Sequence, residues 1–171
     1  MRQVVTLLLT LVLVGSSPAI VGRAEESSAK QNRELADAVE STSVTLDDGL
    51  RASRVQGTPI SAKFEIVDGK MHLSVYTMKG KQFFEVSVDG LARVTRAEPI
   101  TKGDNLTAAK AEAEAMAKAS SSLQSVASKA VADNRGFEAV SITPSLKGGR
   151  PVAEVTLLKN NHFKTLSSPL D

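Results

Sequence analysis

Four positions of this chain recur at a constant separation of 80 residues: Gly69, Lys70, Val75 and Phe83 are answered by Gly149, Arg150, Val155 and Phe163. The same order of signals surrounds each set. An apolar stripe at helical spacing is followed by a glycine and then by three runs of period-two alternation, separated by a Gly turn and a polar turn. A duplication of this kind restricts the chain to architectures made from two copies of one supersecondary unit.

In the first copy, Thr45 and Asp48 have the spacing of a capping box, and Leu46 and Leu50 lie one helical turn apart. Gly57 and Pro59 stop that helix. Phe64 and Ile66 then alternate with polar residues into Asp68-Gly69, a strong hairpin signal. Met71, Leu73 and Val75 share one face of the next run. Phe84, Val86 and Val88 share a face of the third, which ends at Asp89-Gly90 before "LARVTRAEPI" leads out to Pro99. In the second copy, Leu123, Val126, Ala127, Ala130 and Val131 form the helical stripe, Gly136 ends it, and Gly149 marks the hairpin. The stripes are offset by 77 residues rather than 80, so one copy carries a small insertion before its first strand.

The predicted fold class is α+β: two tandem repeats, each a helix packed on a small three-stranded antiparallel sheet, joined by an Ala-rich helix. Residues 45–98 form the first unit, 99–121 a helical connector and 122–171 the second unit, whose last strand is expected to be short or frayed. Residues 25–44 read as a polar lead-in, frayed over 25–33, with a short helix where Leu35, Ala38 and Val39 share a face. Apolar and small residues at 3,4 spacing run from Leu106 to Ala130. They make either one continuous helix or two helices divided at Ser120–Ser122.

The N-terminus has the three parts of a secretory signal: a basic start at Arg2, the uncharged apolar run "VVTLLLTLVLVG", and small residues that place cleavage after Ala19 or Ala24. Residues 1–24 are therefore expected to be removed on export to a periplasm or the medium, with no membrane segment left behind. The chain holds 21 Lys and Arg against 19 Asp and Glu. Arg2 and Arg23, but no acid, lie in the signal, so the exported part is charge-balanced. Such a chain has no long-range field to draw in nucleic acid or an anionic membrane. It has no cysteine, so its stability rests on packing alone.

Helix, glycine, three-stranded meander and terminal Val-x-Val-Asp together resemble the PepSY family. In residues 45–94 the resemblance is carried by Gly57, Asp68-Gly69 and "VSVDGLARV", that is Val86, Val88, Asp89 and Gly90. The family ending of the type V-D-x-x-T-G-x-V is matched at its Val-Asp and final Val but not at its Thr-Gly. The second copy keeps Gly136 and Gly149 and ends "TLSSPLD", without the Val-Asp-Gly. The resemblance implies a helix packed on a small sheet, and a non-catalytic role outside the membrane in modulating peptidases.

The residues themselves carry no reactive constellation. His72 lies on the polar side of its strand and His162 in a polar turn, at no metal-ligand spacing. Asp47-Asp48 suit a helix N-terminus, and Glu112 and Glu114 a solvated helical face. No catalytic residue, metal or cofactor is expected. The sequence favours a binding module that takes a peptidase or an extended peptide on a sheet edge, and the same edges equally suit pairing of the two sheets with each other across the repeat. The alternative is a structural protein that self-assembles through the helix over 106–130.

Overall fold

The computed structural model describes residues 18–171, with side chains from residue 28 onward. The apolar core of the signal segment lies outside the described residues. Helix α1 (Pro18–Glu40) runs through the whole stretch expected to be frayed. Residues 28–34 of it are exposed, so helix-forming Ala, Glu, Lys, Gln and Arg carry it there rather than packing. Ala36 and Val39, in its last turns, are buried in the core, and Leu35 packs against it. No described helix is long and apolar enough to cross a membrane.

Helix α2 (Leu46–Ala52) begins with the expected capping box: Thr45 Oγ1 accepts from the Asp48 N–H, and Asp48 accepts from the Thr45 N–H at 3.0 Å. A 3-10 turn (Ser53–Gln56) follows and ends at Gly57. Strands β1 (Thr58–Val67), β2 (Lys70–Lys79) and β3 (Gln82–Val88) form the first meander. The exit segment is itself a strand, β4 (Val94–Ile100), paired with β3. Helices α3 (Gly103–Ala117) and α4 (Leu123–Asp133) lead to β5 (Glu138–Lys147), β6 (Arg150–Lys159) and β7 (His162–Pro169). Far from short, β7 is one residue longer than β3.

The expected pair of separate three-stranded sheets is not what forms. All seven strands make one antiparallel sheet in the order β4-β3-β2-β1-β5-β6-β7. Two separate sheets would each have left the first strand as an unpaired row of backbone donors and acceptors. Here β1 and β5 pair over a short seam instead, with Ala62 opposite Ile142 and Lys63 opposite Ser141, and this joins the two meanders into one sheet. The starts of β1, β2 and β3 recur at the separation of 80 in β5, β6 and β7. So does a bulge, which falls between Pro59 and Ser61 in β1 and between Ala139 and Ser141 in β5.

Helices α2 and α4 touch each other and cover one face of this sheet across the seam. Leu46, Leu50, Leu123 and Val126 bury that face together with Phe64, Leu73, Val75, Val86, Ile142 and Val155. Gly49 sits where a Cβ would come within 2.5 Å of the Leu73 side chain, so α2 lies directly on β2. The connector is not one helix. Ser120 and Ser121 donate their N–H groups to the Leu170 carbonyl at 2.8 and 2.9 Å, and Ser122 caps α4. That break turns the chain from one face of the sheet to the other.

One flaw in the core is specific to the first copy. The Thr77 side chain is fully buried and its hydroxyl has no partner among the described residues. The position 80 residues on is Leu157, also fully buried. An unpaired buried hydroxyl costs about 1–3 kcal/mol. Thr77→Val keeps the shape and removes the hydroxyl, and it is expected to stabilise the protein by about 1 kcal/mol. An unchanged or lowered urea midpoint would show that the hydroxyl is satisfied.

Candidate functional site

The opposite face of the sheet is polar, and α3 crosses part of it. The geometry follows from strand alternation. Val75 faces the α2–α4 core, so its neighbours Ser74 and Tyr76 face the other way, as do Ser61, Lys63 and Glu65 on β1 and Glu85 on β3. Helix α3 seats its Ala109 and Ala113 among Ile60, Tyr76 and Phe83 in a second, smaller apolar cluster.

Glu112 is the residue whose surroundings differ most from the sequence reading. It was expected on a solvated face beside Glu114. Only Glu114 is exposed; Glu112 is buried and accepts a 2.6 Å hydrogen bond from the Ser61 hydroxyl. Burial raises its pKa above the ordinary 4.5, and the Ser61 hydrogen bond and Lys63 oppose that rise only in part. Burial likewise raises Glu85, with Glu65 adding repulsion, and pushes the Tyr76 phenol above its usual range. Lys63 pairs with Glu65 at 2.7 Å, and Ser74 donates to Glu65 at 2.7 Å.

This ladder is a structural layer that holds α3 on the sheet. Its pH dependence has a definite sign. A carboxyl whose folded pKa is raised stabilises the fold fully below its unfolded pKa, and that contribution is lost as pH rises through the folded value. Glu112→Gln, whose amide oxygen can still accept from Ser61, is therefore expected to be more stable than the wild type at neutral pH. The difference should close below about pH 4.5, where the wild-type carboxyl is also neutral. A variant less stable at neutral pH would mean that the carboxylate is held by partners stronger than Ser61.

The motif residues singled out in the sequence do not converge. Val86 and Val88 are core residues of β3. Asp68 and Gly69 make the β1–β2 turn with φ of 51° and 71°, and Gly149 makes the β5–β6 turn. Asp89 organises the β3–β4 turn around Gly90. It accepts from the N–H groups of Leu91 and Arg93 and pairs with the Arg93 guanidinium at 2.9 Å, contacts that hold its carboxyl below the usual range. Gly57 and Gly136 end the helical segments of the two copies at opposite ends of the sheet. His72 and His162 lie on separate strands, and the described residues hold no group of three or more metal-ligating side chains.

Two features remain open to a partner. One is the pair of edges, β4 and β7. Thr95, Arg96, Ala97, Glu98 and Pro99 of β4 are all exposed, and Arg96 and Glu98 form an ion pair along the strand. The other is an open groove of about 590 Å³ at the end of the sheet, between the 3-10 turn, the β2–β3 turn and the α3–α4 junction. Sequence reasoning expects a free sheet edge but not which strand forms it, and it gives no sign of the groove, because each depends on which strands and turns meet. One signal for β4 as the edge was Pro99, since proline in a strand is favoured at an edge, a first residue or a bulge. No family model, curated protein or solved structure matches the chain.

Proposed function

We propose that the protein is an exported, non-catalytic binding module that takes an extended segment of a peptidase, or of a peptidase substrate, by strand addition to β4. The observation that carries this reading is the form of the edge. β4 is paired with β3 on one side, and five of its seven residues are exposed. Backbone hydrogen bonds along such an edge supply affinity, and alternate side chains supply selectivity. Arg96, Glu98 and Pro99 also guard against indiscriminate pairing, since charges and proline on an edge disfavour strands that do not complement them. The resemblance of residues 45–94 to PepSY units supports a peptidase as the partner.

A second reading has its own observation. An antiparallel copy of β4 centred on Ala97 would place Arg96 of one chain opposite Glu98 of the other, so the edge is complementary to itself. In that reading the protein self-assembles through β4.

One experiment tests both. The full chain, with a photo-crosslinking residue at Ala97 and a control at Thr165 on β7, is irradiated in the exported fraction of its own cells. A discrete peptidase adduct from Ala97 alone supports the first reading. An adduct with its own chain alone, abolished by Glu98→Arg, supports the second. No adduct at Ala97 removes β4 as the binding edge.

A further inference from the structure

The duplication contains an internal comparison. At equivalent ends of the two copies, a glycine that closes a helical segment faces the turn between the second and third strands. In the first copy this place is the 590 Å³ groove beside Gly57, Thr58, Met78, Lys79 and Gly80. In the second it is a hollow of about 170 Å³ beside Gly136, Glu138, Leu158, Lys159 and Asn160.

The two places differ in charge as well as volume. In the second copy Lys159 is used internally. Its ammonium lies 5.7 Å from the centre of the Phe137 ring and donates to the Arg135 carbonyl at 3.4 Å. Two carboxylates, Glu40 and Glu138, line the same hollow. In the first copy the counterpart of Glu138 is Thr58, and no acid lines the groove. The charged side chains there are Arg54 and Lys79, and neither forms an ion pair among the described residues. Arg54 reaches across to the Gln124 side-chain oxygen at 2.9 Å. Leu50, Met78, Met116 and Leu123 supply the apolar part of the same lining.

We propose that this groove binds the C-terminal end of a peptide, with the free carboxylate held by Arg54 and Lys79 and an apolar last side chain set against Met78, Met116 and Leu123. Two cations without a carboxylate partner, beside apolar surface, call for an anion attached to an apolar group. The walls favour a peptide over a fatty acid. The Gln124 oxygen already takes the Arg54 hydrogen bond, which leaves its NH2 group on the groove wall to donate to a peptide carbonyl, a group an acyl chain lacks. The site lies at the end of β1 and β2, away from the β4 edge, so it stands or falls independently of the strand-addition reading.

The probe is acetyl-Ala-Val-Leu with a free C-terminal carboxylate, titrated into the ¹⁵N-labelled full chain. Its C-terminal amide and decanoate serve as comparisons. Saturable shifts at Gly57, Gly80 and Gln124 are expected with the free acid. The amide, and each of the variants Arg54→Gln and Lys79→Gln, should bind about tenfold more weakly. Lys159→Gln in the other copy should leave affinity unchanged. Equal binding of acid and amide would remove the carboxylate from the proposal. Binding of decanoate without the peptide would replace the ligand class, and an absence of saturable shifts in this groove would overturn the site itself.

Discussion

Gly57→Ala is expected to lower stability by about 3 kcal/mol or more, an unusually large loss for the addition of one methyl group. Gly57 ends the 3-10 turn at φ 144° and ψ −172°, a region that residues with a Cβ rarely enter. The space around it is also taken: a Cβ there would lie 2.6 Å from the Met78 carbonyl oxygen and 2.9 Å from its carbon. Those atoms belong to β2, which is hydrogen-bonded to β1 on one side and β3 on the other and cannot retreat. Gly69→Ala is the matched control. It too has positive φ, 71°, but nothing lies within 4 Å of its Cβ position, so it carries only the backbone cost of about 1–2 kcal/mol. Urea midpoints of the two variants separate strain from collision. Equal losses would show that β2 can move.

Ile142→Ala is expected to cost about 3 kcal/mol and to do so in both halves of the molecule at once. Ile142 is fully buried on β5, with Val155 opposite on one side and Ala62 opposite across the seam. Ala62 is too small to collapse into the space that the lost atoms leave, so the cavity persists. The chain has one tyrosine, Tyr76, and no tryptophan. Tyrosine fluorescence therefore reports from the first copy alone, while the substitution lies in the second. In one continuous sheet the Tyr76 transition moves to lower urea by the full amount. In two independent domains it would stay where it was.

Much of the local structure was legible in the sequence because it is set by local chemistry. The Thr45–Asp48 capping box, the Asp68-Gly69 turn and the alternation of β1 to β3 follow from side-chain type and spacing within a few residues. What escaped was which elements meet. Nothing within β1 or β5 says that Ala62 will face Ile142, because strand pairing across about 80 residues leaves no local period. β4 was read as an exit segment because Pro99 and the charges of Arg96 and Glu98 mask its alternation, and those are the residues that suit it to an edge. Glu112 was placed on a solvated face because α3 is built mostly of Ala, Glu and Lys and shows only a weak apolar stripe. Its burial arises from Ser61, 51 residues away. The identity of the edge strand and the groove were hidden for the same reason, since both are made only when distant turns and strands come together.

Whether β4 and β7 are the only edges open to a partner among the described strands depends on the seam. If β5 closes β1, then β4 and β7 are the edges of the sheet and a peptide cannot add to β1. The most direct measurement is a cross-strand disulfide, for which a chain without cysteine gives a clean background. Lys63 and Ser141 are opposite each other across β1 and β5, within the span a disulfide bridges. The double variant Lys63→Cys, Ser141→Cys is oxidised under dilute conditions and its free thiols are counted by alkylation and mass spectrometry. Rapid, complete intrachain bridging with an undisturbed fold is the result expected of one sheet. Two free thiols, or bridges only between chains, would contradict the seam and return β1 to the set of open edges.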